Sequence, residues 1–118
     1  MAYTTINKSN LHFNTVLYTG NGSNARGITG VGFQPDFVWN KGRDDSWQNI
    51  LTDIVRGATK NLYSDSTSAE VTDSTRLQSF NSDGFTIGTN NQINNNSDTY
   101  VAWNWKAGGG QGSSNTDG

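Results

Sequence analysis

Nowhere does the chain sustain the 3.6-residue apolar repeat of a long helix; its apolar residues fall in short alternating runs divided by Gly, Asn and Asp. Successive side chains of a strand point to opposite faces, so such runs read as strands half-buried on one side. Leu11 to Thr19, Phe37 to Lys41, Leu62 to Ser64, Leu77 to Phe80, Phe85 to Gly88 and Thr99 to Lys106 fit that description. Gly20-Asn21-Gly22-Ser23 is a turn signal through its Asn-Gly pair, and Asp83-Gly84 marks a hairpin. In Trp47 to Arg56 a helix competes, but the segment is short, β-branched and bounded by turn residues, so strand is preferred. Many short strands joined by turns predict an all-β protein, an antiparallel β-sandwich of jelly-roll-like form. The 56 Asn, Ser, Thr and Gly residues, nearly half of 118, support this, because they are poor helix formers.

Large aromatic rings dominate core energetics, and two of the four tryptophans stand on the last strand. Alternation puts Val101, Trp103 and Trp105 on one face, with Tyr100, Ala102, Asn104 and Lys106 on the other. The same indoles turned outward would make a platform for a sugar or a partner. Three bulky apolar residues on one face favour the inward reading, so Trp103 and Trp105 are the expected core anchors, with Trp39, Phe37 and Phe85. On that reading Trp103→Ala costs roughly 3–5 kcal/mol.

Leu, Ile, Val and Phe number only 22, which makes for a lean core, although the net charge of −2 keeps the composition on the folded side. The length suits one domain, divided here into an extended arm over residues 1–10, a sandwich over 11–106 and a Gly/Ser/Asn-rich linker, flexible by composition, over 107–118. The linker suggests continuation into another module. No Lys/Arg cluster points to nucleic acid, and no apolar run is long enough to span a membrane. Residues 1–10 lack the apolar segment of a secretory signal. Cysteine is absent, which removes disulfides and thiolate metal sites.

No catalytic apparatus is expected. His12 is the single histidine, no Gly-x-Ser-x-Gly motif is present, and most of the nine Asp residues occupy turns, where they bind backbone N–H groups. Asp36 and Asp53 stand among apolar neighbours, and for Asp53 an ion pair with Arg56 or Arg43 is preferred to an acid–base role. No cofactor is expected; loop-bound calcium through Asp44-Asp45 or Asn94 to Asp98 is the weaker alternative, since neither stretch has EF-hand spacing. For binding, the candidate contact set is Trp47 with Arg43, Asp44 and Asp45, an indole beside oriented polar groups. The competing reading is that Trp47 closes one end of the sandwich.

Five motifs occur in order: Tyr18-Thr19-Gly20-Asn21-Gly22-Ser23; Gly30-Val31-Gly32-Phe33-Gln34-Pro35-Asp36-Phe37-Val38-Trp39; Val55-Arg56-Gly57; Ser79-Phe80-Asn81-Ser82-Asp83-Gly84-Phe85-Thr86-Ile87-Gly88; and Tyr100-Val101-Ala102-Trp103-Asn104-Trp105-Lys106. Together, over about residues 3–110, they resemble a β-domain of virion proteins of tailed bacteriophages, especially marine ones. The resemblance implies a non-enzymatic structural module of a tail fibre or of a capsid-surface fibre or decoration, docking to the particle or to its own copies. It implies other virion proteins as partners, a homo-oligomer such as a trimer, and residence in the virion after synthesis in the host cytoplasm. The alternative is a carbohydrate-binding module that attaches to a glycan of the host surface.

Overall fold

The computed structural model describes residues 11–107; the expected arm over 1–10 and all but the first residue of the expected linker lie outside them. The strands are β1 (Phe13–Thr19), β2 (Arg26–Ile28), β3 (Phe37–Gly42), β4 (Ile50–Asp53), β5 (Lys60–Tyr63), β6 (Val71–Thr72), β7 (Leu77–Asn81), β8 (Gly84–Ile87) and β9 (Thr99–Trp105). One helical turn, α1 (Asn91–Asn94), precedes β9. Residues 47–56 hold a strand, β4, as the β-branched Ile50 and Thr52 favour.

The strands make two antiparallel sheets packed as a sandwich of unequal halves. The larger runs β1-β9-β3-β4-β5-β6 and the smaller β2-β8-β7. The last strand is therefore an inner one, paired with β1 (Val16 opposite Ala102) and with β3 (Asn40 opposite Ala102). The core lies between the sheets and contains Ile28, Val38, Leu77, Phe85, Ile87, Ile93 and Ala102, with Val16, Tyr18, Ala58 and Phe80 packed against it.

The direction in which the larger sheet faces corrects the sequence reading. On β9 the inward residues are Tyr100, Ala102 and Asn104, each with no exposed surface. Trp103 and Trp105 lie on the opposite, outer face and are only half-buried, as are Trp39 and Phe37 of β3. These four are not core anchors. Phe85, from the smaller sheet, is fully buried. The cause is the space between the layers. Phe85, Ile87 and Leu77 project from the small sheet, so the facing positions of the large one hold Val38, Ala102 and Asn104, and two further indoles would overfill the gap.

Buried amide nitrogens on the inner face are held by hydrogen bonds. Asn104 Nδ2 donates to Asn14 O (3.2 Å) and Ala102 O (3.1 Å), and Asn40 Nδ2 to the Tyr18 hydroxyl (3.2 Å). Asn94 in α1 is fully buried and uses its whole amide. Its Nδ2 donates to Ser23 O and Gly88 O, and its Oδ1 accepts from Asn21 N and Arg26 Nη1. The start of the asparagine-rich segment before β9 is thus a helical turn, capped by Asn90, whose Oδ1 accepts from Gln92 N (2.9 Å). Burial pushes the Tyr100 hydroxyl up to about 12, so it stays neutral, donating to Asn91 O and accepting from Asn95 N.

Candidate functional site

Two places gather the side chains that bear on function: an acidic loop at one end of the sandwich and the outer face of the larger sheet.

The acidic loop follows β3. Its backbone is tied to the start of β9, with Arg43 N donating to Thr99 O (2.8 Å) and the Asp44 carboxylate accepting from Thr99 N at 3.2 Å to either oxygen. Asp98 joins from the β9 side, where its carboxylate accepts from Trp47 Nε1 (3.1 Å) and Asn95 Nδ2 (2.8 Å). Those two donors, Asn95 first, hold the Asp98 carboxyl below its ordinary value. Asp45 is raised, chiefly because the hydrogen bond it shares with Asp98 requires its proton. Oxygens of Asp44, Asp45 and Asp98 lie within 4.8 Å of one another, a spacing a hard cation could use. Two of the three already accept protein N–H donors, however, and the neighbouring Asn94 is sequestered in the interior.

Trp47 belongs to this clasp. A β-carbon added at Gly42 would lie 2.8 Å from Trp47 Cδ1, so the glycine is what lets Trp47 come this close to the end of β3. The sequence candidates Trp47, Asp44, Asp45 and Arg43 are brought together, but by contacts that fix the loop. The indole N–H is spent on Asp98 and part of the ring lies against Gly42, although Trp47 is half-buried like the other three tryptophans.

Asp36 and Asp53 also serve the fold. Asp36 is buried, and its Oδ2 accepts from Ala107 N (2.7 Å), fastening the end of β9. Asp53 meets Arg56 Nε at 2.6 Å, the ion pair preferred from the sequence, and Arg56 also reaches Glu70 at 3.2 Å. Burial alone would raise Asp53, but the hydrogen bonds and charge of Arg56 outweigh it and lower its carboxyl.

The outer face of the larger sheet has a different character. Strand register sets Phe13, Trp105, Phe37 and Asp53 in one row across β1, β9, β3 and β4. The next row is Thr15, Trp103, Trp39 and Leu51, and a third holds Leu17, Val101 and Lys41. Trp105 stacks on Phe37 (ring centres 5.0 Å apart, planes at 29°) and is met by Phe13 at 5.0 Å. Trp39 and Trp103 meet edge to face at 5.7 Å and 73°. Phe13 keeps 39% of its surface exposed and Leu17 58%. Among the described residues no element covers this face, because the smaller sheet packs on the opposite side. Between the indoles of Trp39, Trp103 and Trp105 lies a cleft of about 260 Å³. An aromatic row of this kind excludes water from any flat surface laid on it and offers nothing to move a proton or attack a bond.

Sequence reasoning named these rings and assigned them to the wrong side. The signal that could have corrected it was an asparagine at an inner position of each of β1, β3 and β9 (Asn14, Asn40 and Asn104), with Asn14 and Asn104 directly opposite each other. Such residues can bond to backbone, as Asn14 and Asn104 do, or to a neighbouring hydroxyl, as Asn40 does, in a narrow core where indoles cannot fit.

Residues 8–118 match a protein family described as a domain of unknown function, DUF7483, and since the match spans nearly the whole chain, the chain belongs to that family. Neither the curated proteins nor the solved structures contain a match.

Proposed function

We propose that this DUF7483 member is a non-enzymatic contact module of a tailed-phage virion appendage, a tail fibre or capsid-surface fibre, working through the outer face of its larger sheet. The observation that carries the contact role is the aromatic face that no element covers among the described residues: Phe37, Trp39, Trp103 and Trp105, half-buried, with the exposed Phe13 beside them, on three adjacent strands. Contiguous apolar surface of this kind marks a place where something docks. The virion setting is supported by the ordered motifs from Tyr18 to Lys106 and their resemblance to phage appendage domains. In that setting the module works as copies within a homo-oligomer, alongside other virion proteins.

Antibody labelling of intact particles from the parent phage, viewed by electron microscopy, tests the setting. Label is expected on fibres of the tail or capsid. Particles that carry no label, with the protein confined to the infected-cell lysate, would remove the virion reading.

A further inference from the structure

Each sheet ends in two edge strands, and a strand edge carries a row of N–H and C=O groups able to pair with another chain. Three of the four edges are blunted. β6 has two residues and β2 three, and the pairing of β7 with β8 is interrupted by a register shift between Leu77 and Ser79. The fourth edge, β1, is not. Its seven residues, Phe-Asn-Thr-Val-Leu-Tyr-Thr, include no proline and no charged side chain, and they pair with β9 without a break.

Antiparallel neighbours exchange backbone bonds at every second residue. His12 O accepts from Lys106 N (2.7 Å), which gives the β9 side to residues 12, 14, 16 and 18. The backbone groups of Phe13, Thr15, Leu17 and Thr19 therefore point away from the sheet. Among the described residues only two of these groups are engaged, both by side chains: Thr15 N by Asn14 Oδ1 (3.0 Å) and Thr19 O by Arg26 Nη1. Those of Phe13 and Leu17 meet no partner there.

Such a row of groups fits an extended strand, and the side chains beside it indicate which one. When β1 is laid antiparallel against a second β1 with Thr15 opposite Thr15, Phe13 falls opposite Leu17 of the second copy, and Leu17 opposite its Phe13. Outward-pointing groups then face outward-pointing groups. Phe13 and Leu17 are the two large apolar residues that this strand leaves exposed, and each covers the other. A slip of one residue sets outward groups against those already bonded to β9. A slip of two sets Phe13 against a threonine and loses the apolar pair. The two-fold axis stands perpendicular to the sheet, so the outer faces of both copies lie on one side. Because the far edge ends in the short β6, the pairing closes at two copies instead of propagating.

We infer that the edge of β1 is a homodimer joint, at which β1 pairs antiparallel with β1 of a second copy about Thr15 and unites the two larger sheets. This goes beyond the contact role proposed above and needs neither the virion setting nor an occupant for the aromatic face.

Sedimentation velocity of the full chain over a wide concentration range tests the inference. The overlap is smaller than the ~800 Å² per partner of a standard interface, so a reversible dimer with Kd on the order of micromolar or weaker is expected. Thr15→Lys and Thr15→Glu each set like charges face to face at the axis. Each should weaken dimerisation by about fivefold or more, and an equimolar mixture of the two should restore it. Thr15 is exposed, and circular dichroism should show both variants folded. Trp103→Ala should dimerise as the parent does. A chain that stays monomeric throughout overturns the inference, as does a dimer indifferent to both Thr15 variants or a mixture no tighter than either variant alone. A dimer that only Trp103→Ala dissolves overturns the edge joint and leaves the aromatic face as the contact surface.

Discussion

At the level of single residues, similar aromatic side chains carry different loads according to the side of the sheet they occupy. Phe85 is fully enclosed between the layers, so Phe85→Ala should cost about 3–5 kcal/mol, lost transfer energy plus an unfilled cavity. Trp103, larger but half-exposed, leaves no enclosed void when truncated. Trp103→Ala should cost about 1–2 kcal/mol, mainly its edge-to-face contact with Trp39 and the surface it covers. Urea unfolding of the two variants measures the difference. Equal losses would return Trp103 to the core. The sequence supplied the ring identities and their two-residue spacing, yet could not tell the two environments apart, because alternation defines two faces without saying which is covered.

Among the elements, the junction between the sheets depends on one turn. Gly30 and Gly32 adopt left-handed φ values of 89° and 91°, turning successive N–H groups toward the β7–β8 hairpin. There Asp83 accepts from Gly30 N at 3.0 Å and Gly32 N at 2.7 Å. These bonds hold the Asp83 carboxyl below its ordinary value. A carboxyl depressed by folding stabilises the protein above its unfolded value, about 3.9, and that stabilisation fades as pH falls through the lower folded value. Melting temperature should therefore fall more steeply with acid in the parent than in Asp83→Asn, which keeps one acceptor without the charge. Parallel curves across the acid range would show that the turn does not draw on the carboxylate. The glycines and the Asp-Gly hairpin were legible in the sequence because turn chemistry is local. Their meeting, 51 and 53 residues apart, was not.

For the molecule as a whole, the decisive contact is the insertion of β9 between β1 and β3, which joins the two ends of the described chain. Forming it requires closing most of the chain into one loop before the pairing is rewarded. Refolding followed by stopped-flow fluorescence should therefore be slow for the chain length, roughly milliseconds to seconds as in other β-sandwiches. A submillisecond main phase would contradict this topology as the rate-setting event. The closure also fixes the outer aromatic face, since only β9 flanked by β1 and β3 brings Phe13, Trp105 and Phe37, and Trp103 and Trp39, into continuous rows.

The amino-acid order by itself determined that the protein is built of β-structure and where the longer strands run, since alternation and turn preference act over a few residues; the short β2 and β6 and the helical turn α1 carry no such pattern. It also pointed to an ion pair at Asp53, leaving Arg56 or Arg43 as the partner, and the structure selects Arg56, three positions away. Which face of β9 is buried was decided only by the tertiary structure. That outcome depends on the small sheet, whose Phe85, Ile87 and Leu77 fill the interlayer space and leave room opposite for alanine, valine and asparagine. The tryptophans occupy the outer face because the space inside had been taken by residues remote in sequence, and no local pattern records that competition for volume.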